Sequence, residues 1–228
     1  MAIRFGRKTE ENWKEMVLNK KAVLRNYKKR KGRIMFPTSH DITMESCTHS
    51  IIVLKKLLKA GNEVLITTKP NLICTAELLK QLEEFKDQIQ FRFTITSVND
   101  DLLTFWEPGA SNFQERLQSL MFAKARGFKT SVSIESFLDE NPVSLILRIF
   151  PDITESIWLG KMNYIQAKDL TDKEKKYYDY QREISSWSNI NKIVDTLKLF
   201  PENIKSKIRI KDSIQNMYIK RGIEVKLK

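Results

Sequence analysis

The sequence predicts an α/β fold: a parallel sheet arranged as a partial (β/α) barrel. Three observations lead there. Short β-branched runs alternate with helical periodicities along the chain. No G-x-G-x-x-G or G-x-x-x-x-G-K-[ST] loop follows any of the runs, which disfavours a dinucleotide- or nucleotide-cradling open sheet. Polar residues recur just past the ends of successive strands, as they do where a barrel assembles a site from many strand ends at once.

The elements follow in order. Arg33–Pro37 is a short apolar strand. Ser46–Ala60 places Ile51, Leu54, Leu57 and Leu58 at helical spacing and stops at Gly61-Asn62. Glu63–Thr68 is β-branched and of strand length. Leu72–Phe85 is a helix with Leu78, Leu79, Leu82 and Phe85 on one face, and Ile89–Ser97 is the next strand. Gln114–Ala125 is a helix stopped at Gly127, followed by a strand over Phe128–Glu135. Pro142–Phe150 is helical, with proline in the first turn, and Ser156–Met162 is a strand. A long charged helical region covers about 171–199, then Lys207–Ile210 is a strand and Ser213–Arg221 a short helix. Strand-helix repetition of this kind requires right-handed crossovers between parallel strands.

The 228 residues suit a single domain that needs no metal or disulfide staple. We divide it into a basic N-terminal segment (1–33), a barrel core (34–163) and a basic C-terminal extension (164–228). The net charge of +12 is uneven. Residues 1–33 carry 12 basic and 3 acidic side chains, residues 34–160 carry 12 and 16, and residues 161–228 carry 16 and 9. Clusters such as Lys28-Lys29-Arg30-Lys31 attract polyanions, which makes nucleic acid a candidate partner; the competing reading is solvated helix faces and loop ends, and basic flanks alone do not identify a nucleic-acid binder. Two cysteines, 47 and 74, form no disulfide framework and suit a reducing cytosol. No run reaches the ~20 apolar residues of a membrane span, and the N-terminus has no apolar signal core. A cytoplasmic location and no membrane partner are the expectation.

The polar strand ends are Thr38-Ser39-His40-Asp41, Lys69, Thr96-Ser97, Glu135, Lys161–Asn163 and Lys211-Asp212. Each alone reads as a cap or a loop charge; their recurrence at one end of the strands makes them candidates for a shared site. The spacing of His40, Cys47 and His49 matches no common zinc pattern, so no metal ligand is assigned. Two histidines this close together give no Ser–His–Asp arrangement.

Several motifs carry a resemblance. Thr67-Thr68-Lys69-Pro70, Phe93–Ser97, Trp106-Glu107-Pro108-Gly109-Ala110 and Glu115-Arg116-Leu117 resemble radical S-adenosylmethionine enzymes of the spore photoproduct lyase-like branch. Ser133-Ile134-Glu135, Ile157–Asn163 and Lys211-Asp212-Ser213 extend the likeness over about 1–215. The resemblance implies S-adenosylmethionine as cofactor, a [4Fe-4S] cluster held by C-x3-C-x2-C, an electron-donating partner and radical-initiated hydrogen abstraction.

The sequence has no such cysteine motif. Ala2–Arg7 is similar to the stretch that follows the third cysteine in those relatives. The resemblance therefore implies that the first strand and cluster loop are missing, that the cluster belongs to a longer form only, and that the chain alone is inactive. It also implies roles. Ser39, His40 and Asp41 fall where the family meets the methionyl amine, Lys69 where a lysine pairs with the methionyl carboxylate, and Ser97 near the ribose or carboxylate. Glu135 and Asn163 face cofactor or substrate. Arg116 braces the loop through Glu107. Ser136 departs from the family, which has proline after the glutamate. The alternative expectation is a non-catalytic nucleic-acid-binding module, or a scaffold for a cluster-bearing chain, on the same fold.

Overall fold

The structure, a computed structural model, describes residue 9, residues 16–225 and residue 227. Ala2–Arg7 and most of the first half of the basic N-terminal segment lie outside the described residues.

Helix α1 (Lys20–Leu24) precedes strand β1 (Ile34–Phe36), and α2 (Met44–Lys59) leads into β2 (Val64–Thr68). Helix α3 (Leu72–Gln81) and a 3-10 segment over Glu83–Gln88 lead into β3 (Ile89–Thr94). Two helices, α4 (Asp100–Trp106) and α5 (Phe113–Ala125), precede β4 (Lys129–Glu135). Helix α6 (Val143–Ile149) precedes β5 (Ile157–Gly160). Helices α7 (Asp172–Ile184), α8 (Trp187–Lys198) and α9 (Glu202–Lys205) lead into β6 (Ile208–Ile210), and α10 (Asp212–Ile219) follows.

The six strands form one sheet in the order β1 to β6, and every pairing is parallel. The α/β parallel sheet expected from the sequence is present. A sequential order with right-handed crossovers carries all crossover helices to one face. That face is apolar, with Val64 and Ile66 of β2, Phe91 and Phe93 of β3, and Val132 and Ile134 of β4 fully buried beneath the helices. Phe91 packs edge-on against Phe128 at 5.5 Å, in the geometry that aromatic quadrupoles favour. Each such side chain stabilises by about 1.5–3 kcal/mol through burial.

Polar caps fix where the helices begin. Asn71, Asn99 and Asn112 accept backbone N–H groups at the starts of α3, α4 and α5. Thr171 and Glu174 form a capping box on α7. The long helical region expected over 171–199 is broken, because Ser185 caps the end of one helix and Ser186 caps the start of the next by accepting from the Asn189 N–H. Among the described residues, no helix is long and apolar enough to cross a membrane.

Candidate functional site

In a parallel sheet all carboxyl ends lie along one edge, and the loops that leave them meet there. A pocket of about 470 Å³ opens at this edge between three loops, with Asp41, Lys69, Asn71, Glu107 and Ser111 among its lining. The volume falls in the range of small-molecule sites.

Its walls are built from backbone-anchored polar groups. After β1, Asp41 accepts the Lys69 backbone N–H on Oδ1 at 2.7 Å, and its Oδ2 lies 3.1 Å from Lys69 Nζ. Next to it the Ile42 N–H donates to Thr68 Oγ1 at 2.9 Å, so the first two loops are stitched together. Glu115 on α5 accepts from Asn71 Nδ2 and the Leu72 N–H at 2.8 and 2.9 Å, holding the start of α3.

The third wall is the turn Glu107-Pro108-Gly109-Ala110. The Ala110 N–H donates to the Glu107 carbonyl at 3.1 Å, with Gly109 at φ 80°, where a glycine is required. Arg116 is wholly buried and braces this turn. Its Nη1 lies 2.5 Å from Glu107 Oε2, and its Nε donates to the Ser111 carbonyl at 2.8 Å. Glu107 Oε1 accepts from Thr96 Oγ1 at 3.0 Å. One buried ion pair thus ties the rim of the pocket to the end of β3.

Asp41, Lys69 and Glu107 are therefore brought together at one pocket, and Arg116 bonds to Glu107. Ser39 and His40 share the first loop but are exposed, and Asn163 is exposed beyond β5. Ser97 departs from its expected place beside a ligand. It is fully buried, and its hydroxyl donates to Asp139, which also accepts the Val98 N–H at 3.0 Å. Burial pushes the Asp139 carboxyl up, although both hydrogen bonds favour its charged form. No local sequence signal marks Asp139; only the fold brings it to Ser97.

Glu135 forms a second cluster two strands away from Lys69, at a lateral distance of roughly 10 Å. Its Oε2 pairs with Lys211 Nζ at 2.8 Å. The pair closes over Gly160: a Cβ there would lie 2.9 Å from Ser213 Oγ, 3.1 Å from Glu135 Cγ and 3.2 Å from Lys211 Cβ. The Glu135–Ser136 peptide is cis.

An iron–sulfur cluster does not fit this donor set. The sequence has only two cysteines, and they sit buried on α2 and α3, where Cys47 Sγ faces the Cys74 carbonyl at 3.9 Å. Burial first, then Cys74, pushes the Cys47 thiol up to about 12, far from the thiolate a metal takes. The basic run Lys28–Lys31 is exposed, and Arg30 and Lys28 are tied to Asn62 just ahead of β1 and β2. It lies at the amino edge of the sheet, opposite the pocket.

No known protein family matches the chain. The chain is 30% identical over 119 residues to an uncharacterized protein, ORF301, of Acidianus two-tailed virus. The match covers 51% of this chain, which spans 39% of that protein's length.

Proposed function

We propose that the carboxyl-edge pocket binds the amino-acid end of S-adenosylmethionine. The observation that carries this is the Asp41–Lys69 pair on the pocket wall, with Nζ and Oδ2 3.1 Å apart. An α-amino acid head is a zwitterion, and a neighbouring carboxylate and ammonium are complementary to it, charge for charge. Asp41 then takes the ligand's ammonium and Lys69 its carboxylate, in charge-assisted hydrogen bonds. Both side chains are about one-third exposed, so they reach the ligand without repacking the core.

The resemblance of Thr67–Pro70, Trp106–Ala110 and Glu115–Leu117 to radical S-adenosylmethionine enzymes supports this choice of ligand. The reading concerns binding. The two cysteines provide no cluster, and Ser97, spent on Asp139, provides no ribose contact.

Equilibrium titration of the full chain with S-adenosylmethionine and with 5′-methylthioadenosine, which lacks the amino-acid end, tests the reading. Binding of the first and at least tenfold weaker binding of the second is expected. Equal affinities would remove the amino-acid head from the pocket.

A further inference from the structure

The sheet has a second face, and none of the crossover helices covers it. All four charged residues of the six strands, Arg92, Lys129, Glu135 and Arg209, stand there by strand alternation. The carboxylate is already spent, because Glu135 is paired with Lys211 at 2.8 Å. Three strand cations remain on this face.

Arg92 is the central one. It lies on β3 opposite Ser131 of β4, and its guanidinium carbon sits 4.7 Å from the centroid of Trp158 on β5. To reach a ring two strands away, the side chain crosses β4. The hydroxyls of Thr94 and Ser133 stand beside it, in register with each other and with Trp158. Among the described residues, the guanidinium has no hydrogen-bond or carboxylate partner, and its Nε is buried without an acceptor. Among the described residues, the Thr94 and Ser133 hydroxyls make no hydrogen bond either, and only their carbonyls accept, from Arg116 and the Ile95 N–H. Burial and the charge of nearby Arg33 both work against the Arg92 cation. The fold thus holds a rigid arginine fork against an aromatic plane, withholds its counter-ion, and sets two unspent hydroxyls next to it.

We propose that this patch binds a phosphoryl dianion, carried by a phosphate monoester or by free phosphate. The guanidinium fork takes two phosphoryl oxygens, and Thr94 and Ser133 donate to the remaining acceptors. Trp158 holds the guanidinium plane by a cation–π contact. A dianion suits the patch better than a single carboxylate, because it offers more acceptor oxygens and because Lys129 and Arg209 add positive charge to the same face. The site is separate from the Asp41–Lys69 pocket and stands or falls without it.

The test is thermal unfolding and calorimetric titration of the full chain with inorganic phosphate, ribose 5-phosphate and a single-stranded oligonucleotide. Millimolar inorganic phosphate and ribose 5-phosphate should raise the melting temperature of the wild type. Arg92→Met should abolish that response while melting, without ligand, at or above the wild-type temperature, because it removes an unpaired charge. Ser133→Ala should weaken binding about threefold to tenfold, and Lys69→Ala should leave it intact. Tighter binding of the sugar phosphate than of free phosphate identifies an organic ester as the natural ligand; equal binding identifies free phosphate. An unchanged response in Arg92→Met, no response to either phosphate, or a large loss of stability in Arg92→Met would overturn the proposal. So would Arg92-dependent binding of the oligonucleotide alone, which would assign the patch to a diester backbone.

Discussion

Glu107→Gln probes the support of the pocket most sharply. The substitution keeps the shape of the side chain and removes its charge. Arg116 has 0% side-chain exposure and Glu107 has 11%, so water cannot replace the lost partner. Arg116 keeps the Ser111 and Thr94 carbonyls, at 2.8 and 3.3 Å, but these are neutral acceptors. Among the described residues, its Nη2 has no acceptor. Removing one member of a buried pair costs about 3–5 kcal/mol, because the remaining charge stays desolvated. For a chain of this size each kcal/mol is worth about 2–4 °C, so the melting temperature should fall by about 6–20 °C. Urea unfolding should show the same loss as a lower midpoint with an unchanged slope. The double variant Glu107→Gln/Arg116→Met should recover most of it, since no buried charge is left. A loss under about 1 kcal/mol, the value of an exposed pair, would show that Glu107 does not neutralise a desolvated Arg116.

Three further outcomes follow from the same geometry. Burial raises the Asp139 carboxyl above its unfolded value, so the folded chain holds that proton more tightly. The group's contribution to stability is then full below the unfolded pKa and is lost as pH rises through the folded one; Asp139→Asn should flatten this part of the melting temperature–pH profile, and an unaltered profile would count against the buried carboxyl. Cys47 and Cys74 should react with a thiol reagent at pH 8 only after unfolding, because both are buried and the Cys47 thiol is pushed up to about 12; rapid labelling of the native chain would contradict the packing of α2 on α3. Gly160→Ala should cost about 1–3 kcal/mol by forcing its new methyl into the Glu135–Lys211 contact, read by urea unfolding, and a neutral effect would show that this contact yields.

The sheet was legible because its strands are β-branched runs between helical periodicities. Even the polar face could be read from Ile89–Thr94, where Gln90, Arg92 and Thr94 alternate with apolar residues. Helix α4 was legible only at its start, where Ser97-Val98-Asn99-Asp100 reads as a helix cap, and nothing marked the extent of its seven residues. The break between α7 and α8 was missed because Ser185-Ser186 interrupts no apolar stripe, although a serine cap is the local cause. Strand ends named Asp41 and Lys69 as candidates, since polar groups gather where parallel strands finish; Glu107, at the end of α4, came only with the resemblance. The placement of Ser97 was not legible, because its partner Asp139 lies 42 positions away and is brought to it by the loop after β4. Arg92 also escaped notice as a site residue: a strand arginine reads as a solvent-facing charge until Trp158 is seen beneath it.

The Asp41–Lys69 pair is the proposed receptor for an amino-acid head. Calorimetric titration of S-adenosylmethionine against wild type and Lys69→Ala tests this most directly. Lys69→Ala removes a charge-assisted bond worth about 1.5–3 kcal/mol, so the dissociation constant should rise about 10- to 150-fold with the fold intact. An unchanged dissociation constant in Lys69→Ala, or no binding to the wild type, would contradict it.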